Sequence, residues 1–386
     1  MTRLSHAETL LAGLVAFPTV SSASNLDMIE HMANLLSDSG ARVDVFKSPT
    51  GDKANLFATL GPDQPGGVML SGHSDVVPVT DQDWTCDPFT LLERDSRLYG
   101  RGTCDMKGFI AACLAMAPRY AAQPLTRPVH FCFTYDEEIG CLGARALVPE
   151  LQGRGLRPDI AIIGEPTSMR IIEGHKGCCE YTTRFSGSDG HGSAPDLGVN
   201  AVIYAMRYAQ RLLELAQALK ARAPADSRFD PPWTTVNIGR LSGGTAHNII
   251  AGKAELDWEM RPVVWEDANF VKSALEDFVR GELLPEMRRV APGSNISTEI
   301  IGEVVGLVPM AVNEARDLVA RLTGGNTAET VPFGTEAGLF QQMGTHVVVC
   351  GPGDIAQAHK PDEFLERNQL GQCLAMLERL ADHLTA

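Results

Sequence analysis

Three stretches of this chain, residues 67–72, 129–135 and 160–164, read as short runs of mostly apolar residues without a regular polar alternation. A run of that length and character suits a strand buried on both faces, in the interior of a sheet covered by helices. Helical spacing surrounds these runs. Residues 4–16 and 27–40 read as amphipathic helices, with Pro18 stopping the first and Gly40 closing the second, while residues 108–117 are small and apolar at helical spacing and residues 143–152 read as a further helix. Strand candidates at 43–46 and 54–60 complete this part of the chain. Strands alternating with helices predict an α/β domain with a mixed, mostly parallel sheet flanked by helices. Ligands sit beyond the carboxyl ends of such strands, so the residues that follow each apolar run are the ones to inspect.

The most unusual of those ends follows 129–135, where three consecutive carboxylates, Asp136, Glu137 and Glu138, precede a turn at Gly140. Desolvated carboxylates shift their pKa or cost stability unless something neutralises them. The cluster is either a solvated acidic loop or a place where a cation binds. The other strand ends bear on the choice. His73 and Asp75 follow the run at 68–70, Asp105 precedes a helix, Glu165 follows 160–163, and His359 stands in a Gly-Pro-Gly turn region. Two imidazoles with three or four carboxylates suit a pair of divalent ions, because zinc accepts nitrogen and oxygen ligands and a carboxylate can bridge two ions. Cobalt or manganese would suit the same donors. Asp75 stands two residues beyond His73, where its carboxylate could receive the second ring N–H and fix the tautomer. His6, His31, His130 and His383 read as surface or hydrogen-bonded residues instead.

Composition narrows the partners. A net charge of -15, from 48 acidic and 33 basic residues, argues against nucleic acid or an anionic membrane and leaves small molecules and cations. No apolar run approaches the roughly 20 residues that span a bilayer. Arg3, the apolar run at 10–17 and the small residues at 21–24 imitate an export signal only faintly, since His6 and Glu8 interrupt it. Nine scattered cysteines without a Cys-x-x-Cys pair fit a reducing cytoplasm and core positions rather than a disulfide framework.

At 386 residues there is room for two domains, and after Gly177 the pattern changes. Strands at 180–185, 234–241, 254–260 and 296–302, with helices at 199–221 and 267–284, give the order β-α-β-β-α-β, an antiparallel sheet with two helices on one face. Residues 222–232 read as a polar, proline-bearing loop. From Pro309 an α/β pattern resumes, with helices near 313–323 and 368–384 and a strand at 346–350. Residues 178–303 are therefore expected to form an inserted α+β domain, interrupting a discontinuous one made of 1–177 and 304–386.

The quoted ends also carry a resemblance. Gly72-His73-Ser74-Asp75-Val76-Val77-Pro78, the segment from Tyr99 to Gly108, Asp136-Glu137-Glu138 with Gly140, and Gly164-Glu165-Pro166-Thr167 resemble the ordered motifs of the dizinc aminoacylase and carboxypeptidase family. The likeness implies His73 and Glu165 on one zinc, Glu138 and His359 on the other, and Asp105 bridging both. Glu137 would be the general base, taking a proton from attacking water and passing it to the departing nitrogen, while Glu138, held against a cation, stays ionised. It also implies a homodimer in which the inserted domain serves as lid and dimerisation domain. His191, in the segment from Gly187 to Pro195, would then reach a neighbouring subunit's site to stabilise the oxyanion. The bland alternative there is a glycine-rich loop. Asn248 and Arg261 match positions that hold a substrate carboxylate, against surface pairing as the plain reading of Arg261.

Near the carboxyl end, the segments from Pro332 to Phe340 and from Gly351 to Phe364 are similar to the acetylornithine deacetylase branch, although Lys360 stands where glutamine is common. The implied substrate is a small N-acyl amino acid, foremost N-acetylornithine; a desuccinylase, a carboxypeptidase and a non-catalytic binding homologue are the alternatives. Glu336 is either a partner for a substrate ammonium group or a residue that holds a loop by hydrogen bonds.

Overall fold

The computed structural model describes residues 2–386. They form two compact units, one taking the chain up to Gly174 together with Leu307–Thr330 and Thr335–Ala386, the other His175–Gly306 with Val331–Gly334. The first unit opens with α1 (Arg3–Val15) and α2 (Leu26–Asp38). Gly40 follows α2 with φ of 85°, and the Ala41 amide returns to the Leu36 carbonyl at 3.0 Å, a helix ending that glycine adopts without the strain a Cβ would bring. Next come β1 (Arg42–Lys47), β2 (Ala54–Leu60), β3 (Val68–His73), β4 (Leu92–Arg94), β5 (Arg97–Tyr99), α3 (Gly108–Ala121), β6 (Val129–Thr134), α4 (Leu142–Gly153), β7 (Ile160–Pro166) and β8 (Ile171–His175).

The second unit contains β9 (Cys178–Ser186), β10 (Gly190–His191), α5 (Ala201–Ala221), β11 (Thr235–Gly243), β12 (Ile249–Ile250), β13 (Lys253–Arg261), α6 (Trp265–Phe278), α7 (Leu284–Val290) and β14 (Asn295–Val304). Its main sheet has the order β11-β13-β9-β14 with every neighbour antiparallel. Along β13 buried residues alternate with more exposed ones, and Leu256, Trp258 and Met260 meet Leu212 and Leu219 of α5 and Val271 and Leu275 of α6 in one core. The single helix expected at 267–284 differs: a π-turn at Val279–Leu283 carries the chain on to Val290, burying Leu283 and Met287 on the same face.

His175 is buried, and its Nδ1–H donates to the Lys176 carbonyl at 2.9 Å. Burial lowers its pKa to about 4, with the bond to Lys176 opposing. The folded protein therefore holds the ring neutral while the unfolded chain protonates it near pH 6.5. That contribution to stability is complete above pH 6.5 and is lost as the pH falls towards 4. Urea unfolding should accordingly show that His175→Asn loses about 2 kcal/mol less than the parent between roughly pH 7 and pH 5; equal losses would refute it.

The first unit resumes with α8 (Glu314–Thr323), β15 (Ala328–Val331), α9 (Ala337–Gln342), β16 (His346–Gly351), β17 (Phe364–Glu366) and α10 (Arg367–Thr385). Asn313 caps α8, its Oδ1 accepting the amides of Ala315 at 3.0 Å and Arg316 at 3.2 Å. The central sheet has the order β1-β2-β6-β3-β7-β16-β8-β15, and its four middle strands β6, β3, β7 and β16 run parallel. Three of them, β3, β6 and β7, are the apolar runs read from the sequence, and β16 is the strand expected at 346–350. On them lies α3, buried all round from Phe109 to Leu114, with α1 and α10 beyond it. A Cβ on Gly164 would lie 2.0 Å from the Phe109 ring, so the closeness of α3 to β7 depends on that glycine. Strands β8 and β15 were not expected: Glu173 and His175 interrupt the apolar start of β8, and β15 is half-exposed with no apolar run.

Candidate metal centre

Register brings the parallel strands to a common level, with His73 of β3 opposite Thr134 of β6, and Ser71 and Val349 both opposite Ile163 of β7. Each strand releases a polar residue just beyond that level. His73 ends β3, Asp136 to Glu138 follow β6, Glu165 lies near the end of β7, and His359 follows β16. Asp105 arrives separately, on the turn that leads into α3. The site is thus assembled where the carboxyl ends of a parallel sheet meet.

Asp105 is the hub. Its Oδ1 is 3.0 Å from His73 Nε2, and its Oδ2 is 3.3 Å from His359 Nε2. Glu165 lies 3.8 Å from His73 Nε2, and Glu138 lies 3.0 Å from His359 Nε2. Ligand atoms of His73, Asp105 and Glu138 fall within 4.8 Å of one another, as do those of His73, Glu137 and Glu165. His73, Asp105 and Glu165 are buried, whereas the His359 side chain is 53% exposed.

The electrostatics are those of a cage for cations. Burial pushes the Glu165 carboxyl well above its ordinary range and raises Glu138, with Asp105 adding repulsion to both. Burial also raises Glu137, to about 8, with His73 opposing and Glu138 and Asp105 adding. Hydrogen bonds to Asp105 and Glu138 lift His359 to about 10. Burial works against a charged His73, yet Glu165, Asp105 and Asp75 overcome it and hold its pKa well above 6.5. Carboxylates crowded this closely favour a divalent ion that replaces the protons, and two imidazoles among oxygen donors suit zinc, cobalt or manganese.

Asp75 braces the acidic turn. Its carboxylate accepts the Glu137 amide at 3.0 Å, the Glu138 amide at 3.4 Å and the Ser21 hydroxyl at 2.7 Å. The acceptor nearest to His73 differs from the expectation: Nδ1 is 2.9 Å from the Asp75 main-chain carbonyl and 3.6 Å from its carboxylate. The carboxylate is committed to the amides instead, and the carbonyl fixes the ring, leaving Nε2 towards Asp105. Asp136 pairs with the buried Lys53, which also holds the Ser21 carbonyl, so the first of the three carboxylates is neutralised by a side chain.

Glu336 takes the second of its two sequence readings. It is 1% exposed, and its oxygens accept the hydroxyls of Ser71 on β3 and Thr134 on β6, each at 2.7 Å. Buried and hydrogen-bonded to both strands, Glu336 braces two of the strands that bear the site.

His191, Asn248 and Arg261 belong to the second unit. Pairing of β10 with β12 sets His191 opposite Ile249, beside Asn248, whose carbonyl accepts the Gly192 amide at 2.7 Å. The Ser193 amide donates to His191 Nδ1 at 3.2 Å, which puts the proton of the neutral ring on Nε2. Arg261 pairs with Glu259 at 2.6 Å on the same face of β13. Sequence reasoning missed Arg101 and Glu363, a buried ion pair in the same unit as the metal-ligand candidates. Their signal was a basic residue, Arg101, in the motif that carries Asp105 and an acidic one, Glu363, in the motif that carries His359.

A two-unit chain with imidazoles and carboxylates gathered at the end of a parallel sheet is the architecture of a metallohydrolase. The model of peptidase family M20/M25/M40 matches residues 69–383, and the chain belongs to that family. It is 36% identical over 381 residues to the acetylornithine deacetylase of Photorhabdus laumondii, covering 97% of this chain and 96% of that one. The acetylornithine deacetylase of Pasteurella multocida is 36% identical over 378 residues, covering 96% of each. Among solved structures, an M20 metallo-carboxypeptidase from Sulfolobus solfataricus aligns with a TM-score of 0.76 at 16% identity, covering 98% of this chain and 99% of that one. Aminopeptidase PepT from Bacillus cereus aligns with a TM-score of 0.73 at 18% identity, covering 99% of each. The protein is thus an amidohydrolase of the M20 family. No helix among the described residues is long and apolar enough to cross a membrane.

Proposed function

We propose that the protein is a zinc-dependent deacetylase that removes the acetyl group from the α-nitrogen of N-acetylornithine, releasing ornithine and acetate. It would work in the cytoplasm, as a homodimer, in arginine biosynthesis. The observation that carries the reading is the two-sided use of Asp105, with His73 3.0 Å from one oxygen and His359 3.3 Å from the other. The choice of substrate draws on 36% identity, over 97% of the chain, to a protein named acetylornithine deacetylase.

His73 and Glu165 would hold one ion, Glu138 and His359 the other, and Asp105 both, with cobalt or manganese able to replace zinc. Such ions polarise an amide carbonyl and make water acidic enough to attack near neutrality. Glu137 takes the proton released in the attack and delivers it to the departing amine, which leaves poorly without it. Asp75 keeps Glu137 in place through its amide. His191 would offer its Nε2–H to the oxyanion of a neighbouring subunit's site, and Asn248 and Arg261 would hold the substrate carboxylate, the arginine fork matching two oxygens. Exposed Ile203, Met206 and Leu213 on α5 support a partner copy, since a cluster of large apolar side chains in water marks a contact surface.

Released amine, measured across N-acetylornithine, neutral N-acetyl amino acids, N-succinyl amino acids and dipeptides with zinc or cobalt supplied, tests the substrate. N-acetylornithine should exceed each of the others in kcat/KM by about tenfold or more, corresponding to about 1.4 kcal/mol of discrimination. A preference for succinyl or dipeptide substrates would assign the protein to another branch of the family.

A further inference from the structure

Two loops far apart in sequence, one carrying Asp105 and the other His359, are tied together by a buried ion pair. Pairing of β17 with β5 sets Phe364 opposite Tyr99, and the Gly100 amide donates to the Glu363 carbonyl at 3.0 Å. The Glu363 side chain then turns into the Asp105 loop. Its Oε1 accepts the amides of Cys104 at 2.8 Å and Asp105 at 3.0 Å. Its Oε2 accepts the Gly102 amide at 3.0 Å and Arg101 Nη1 at 2.7 Å. Arg101, as buried as Glu363, carries the connection to the other loop. Its Nη1 also donates to the Lys360 carbonyl at 3.3 Å, and its Nη2 donates to Gln82 Oε1 at 2.6 Å. Gln82 donates in turn to the His359 carbonyl at 3.0 Å, and Trp84 covers the guanidinium at 5.0 Å from ring centroid to carbon.

Desolvation offsets much of the attraction within a buried ion pair, so the pair alone contributes little to stability. Four donors converging on one carboxylate do something else, which is to fix the relative placement of the groups they belong to. We infer that Glu363, Arg101 and Gln82 are positioning residues for the metal centre, setting the separation between Asp105 and His359. Glu363 holds the Asp105 end and Gln82 holds the His359 end. The inference rests on the assignment of Asp105 and His359 as ligands made above.

The test uses the full-length protein, with zinc affinity read by chelator competition and the visible absorption of bound cobalt read separately. Gln82→Met, at a partly exposed position, removes the hold on the His359 carbonyl, on Arg101 and on the Trp84 indole N–H. It should weaken one metal equivalent by about tenfold and leave the other unchanged. Glu363→Gln keeps an acceptor for the Cys104 and Asp105 amides but loses the acceptor facing Gly102 and the charge facing Arg101. It should weaken both equivalents by about 10–100-fold and shift the cobalt bands of the folded protein. A merely structural residue would lower the melting temperature of the metal-free protein and leave the bands in place. Unchanged affinity and bands in Gln82→Met, or in folded Glu363→Gln, overturn the inference. Absence of any metal uptake by the parent protein would instead overturn the ligand assignment, and the inference with it.

Discussion

Replacing Glu137 with glutamine should lower kcat by about 10²–10⁴-fold while metal content stays at the parent level. Glutamine keeps the shape and can accept a hydrogen bond, but it cannot take a proton from water and return it to an amine. The position makes the experiment discriminating, because Glu137 also lies within 4.8 Å of ligand atoms of His73 and Glu165. If metal content falls together with activity, Glu137 is a ligand and the proton must be moved by another group. If turnover persists within about threefold, it has neither role. The same measurement separates an enzyme from a homologue that only binds, since a binding protein would turn over no faster than its variant.

Asp105→Ala should have the larger effect on metal content. Its two oxygens face different imidazoles, so under the proposed assignment its loss would remove a donor from both ions, whereas His73→Ala and His359→Ala would each remove a donor from one. Metal analysis after equilibration at limiting zinc should show both equivalents lost in Asp105→Ala and one equivalent lost in each histidine variant. The fall in affinity should exceed the 10–100-fold typical of losing an outer hydrogen-bond partner. Retention of a full equivalent in Asp105→Ala would end its role as a bridge. Loss of both in His359→Ala would mean that one ion cannot be held without the other.

Much of the sheet could be read before the structure, because β3, β6, β7 and β16 are buried on both faces and are correspondingly apolar. The residues that follow them were conspicuous for the opposite reason, as charges and imidazoles placed directly after apolar runs. What escaped was whatever depends on proximity across long stretches of chain. Glu336 meets Ser71 across 265 residues and Thr134 across 202, and nothing local to Glu336 distinguishes a brace from a substrate contact. The Asp75 carboxylate was assigned to His73 by its spacing, but spacing could not reveal that the amides of Glu137 and Glu138 compete for it. Strand β15 lacked a signal because an edge strand with half-exposed residues needs no apolar run.

The order of strands in the central sheet has a consequence for biosynthesis. Strand β16 lies between β7 and β8, yet it is made only after the whole second unit has been synthesised. A nascent chain therefore carries an open slot in the sheet for as long as translation of the intervening residues lasts. Contacts of such long sequence separation form slowly and leave unpaired backbone exposed in the interim. His359 follows β16, so the growing polypeptide cannot gather all its candidate metal-binding side chains until its final strands have left the ribosome.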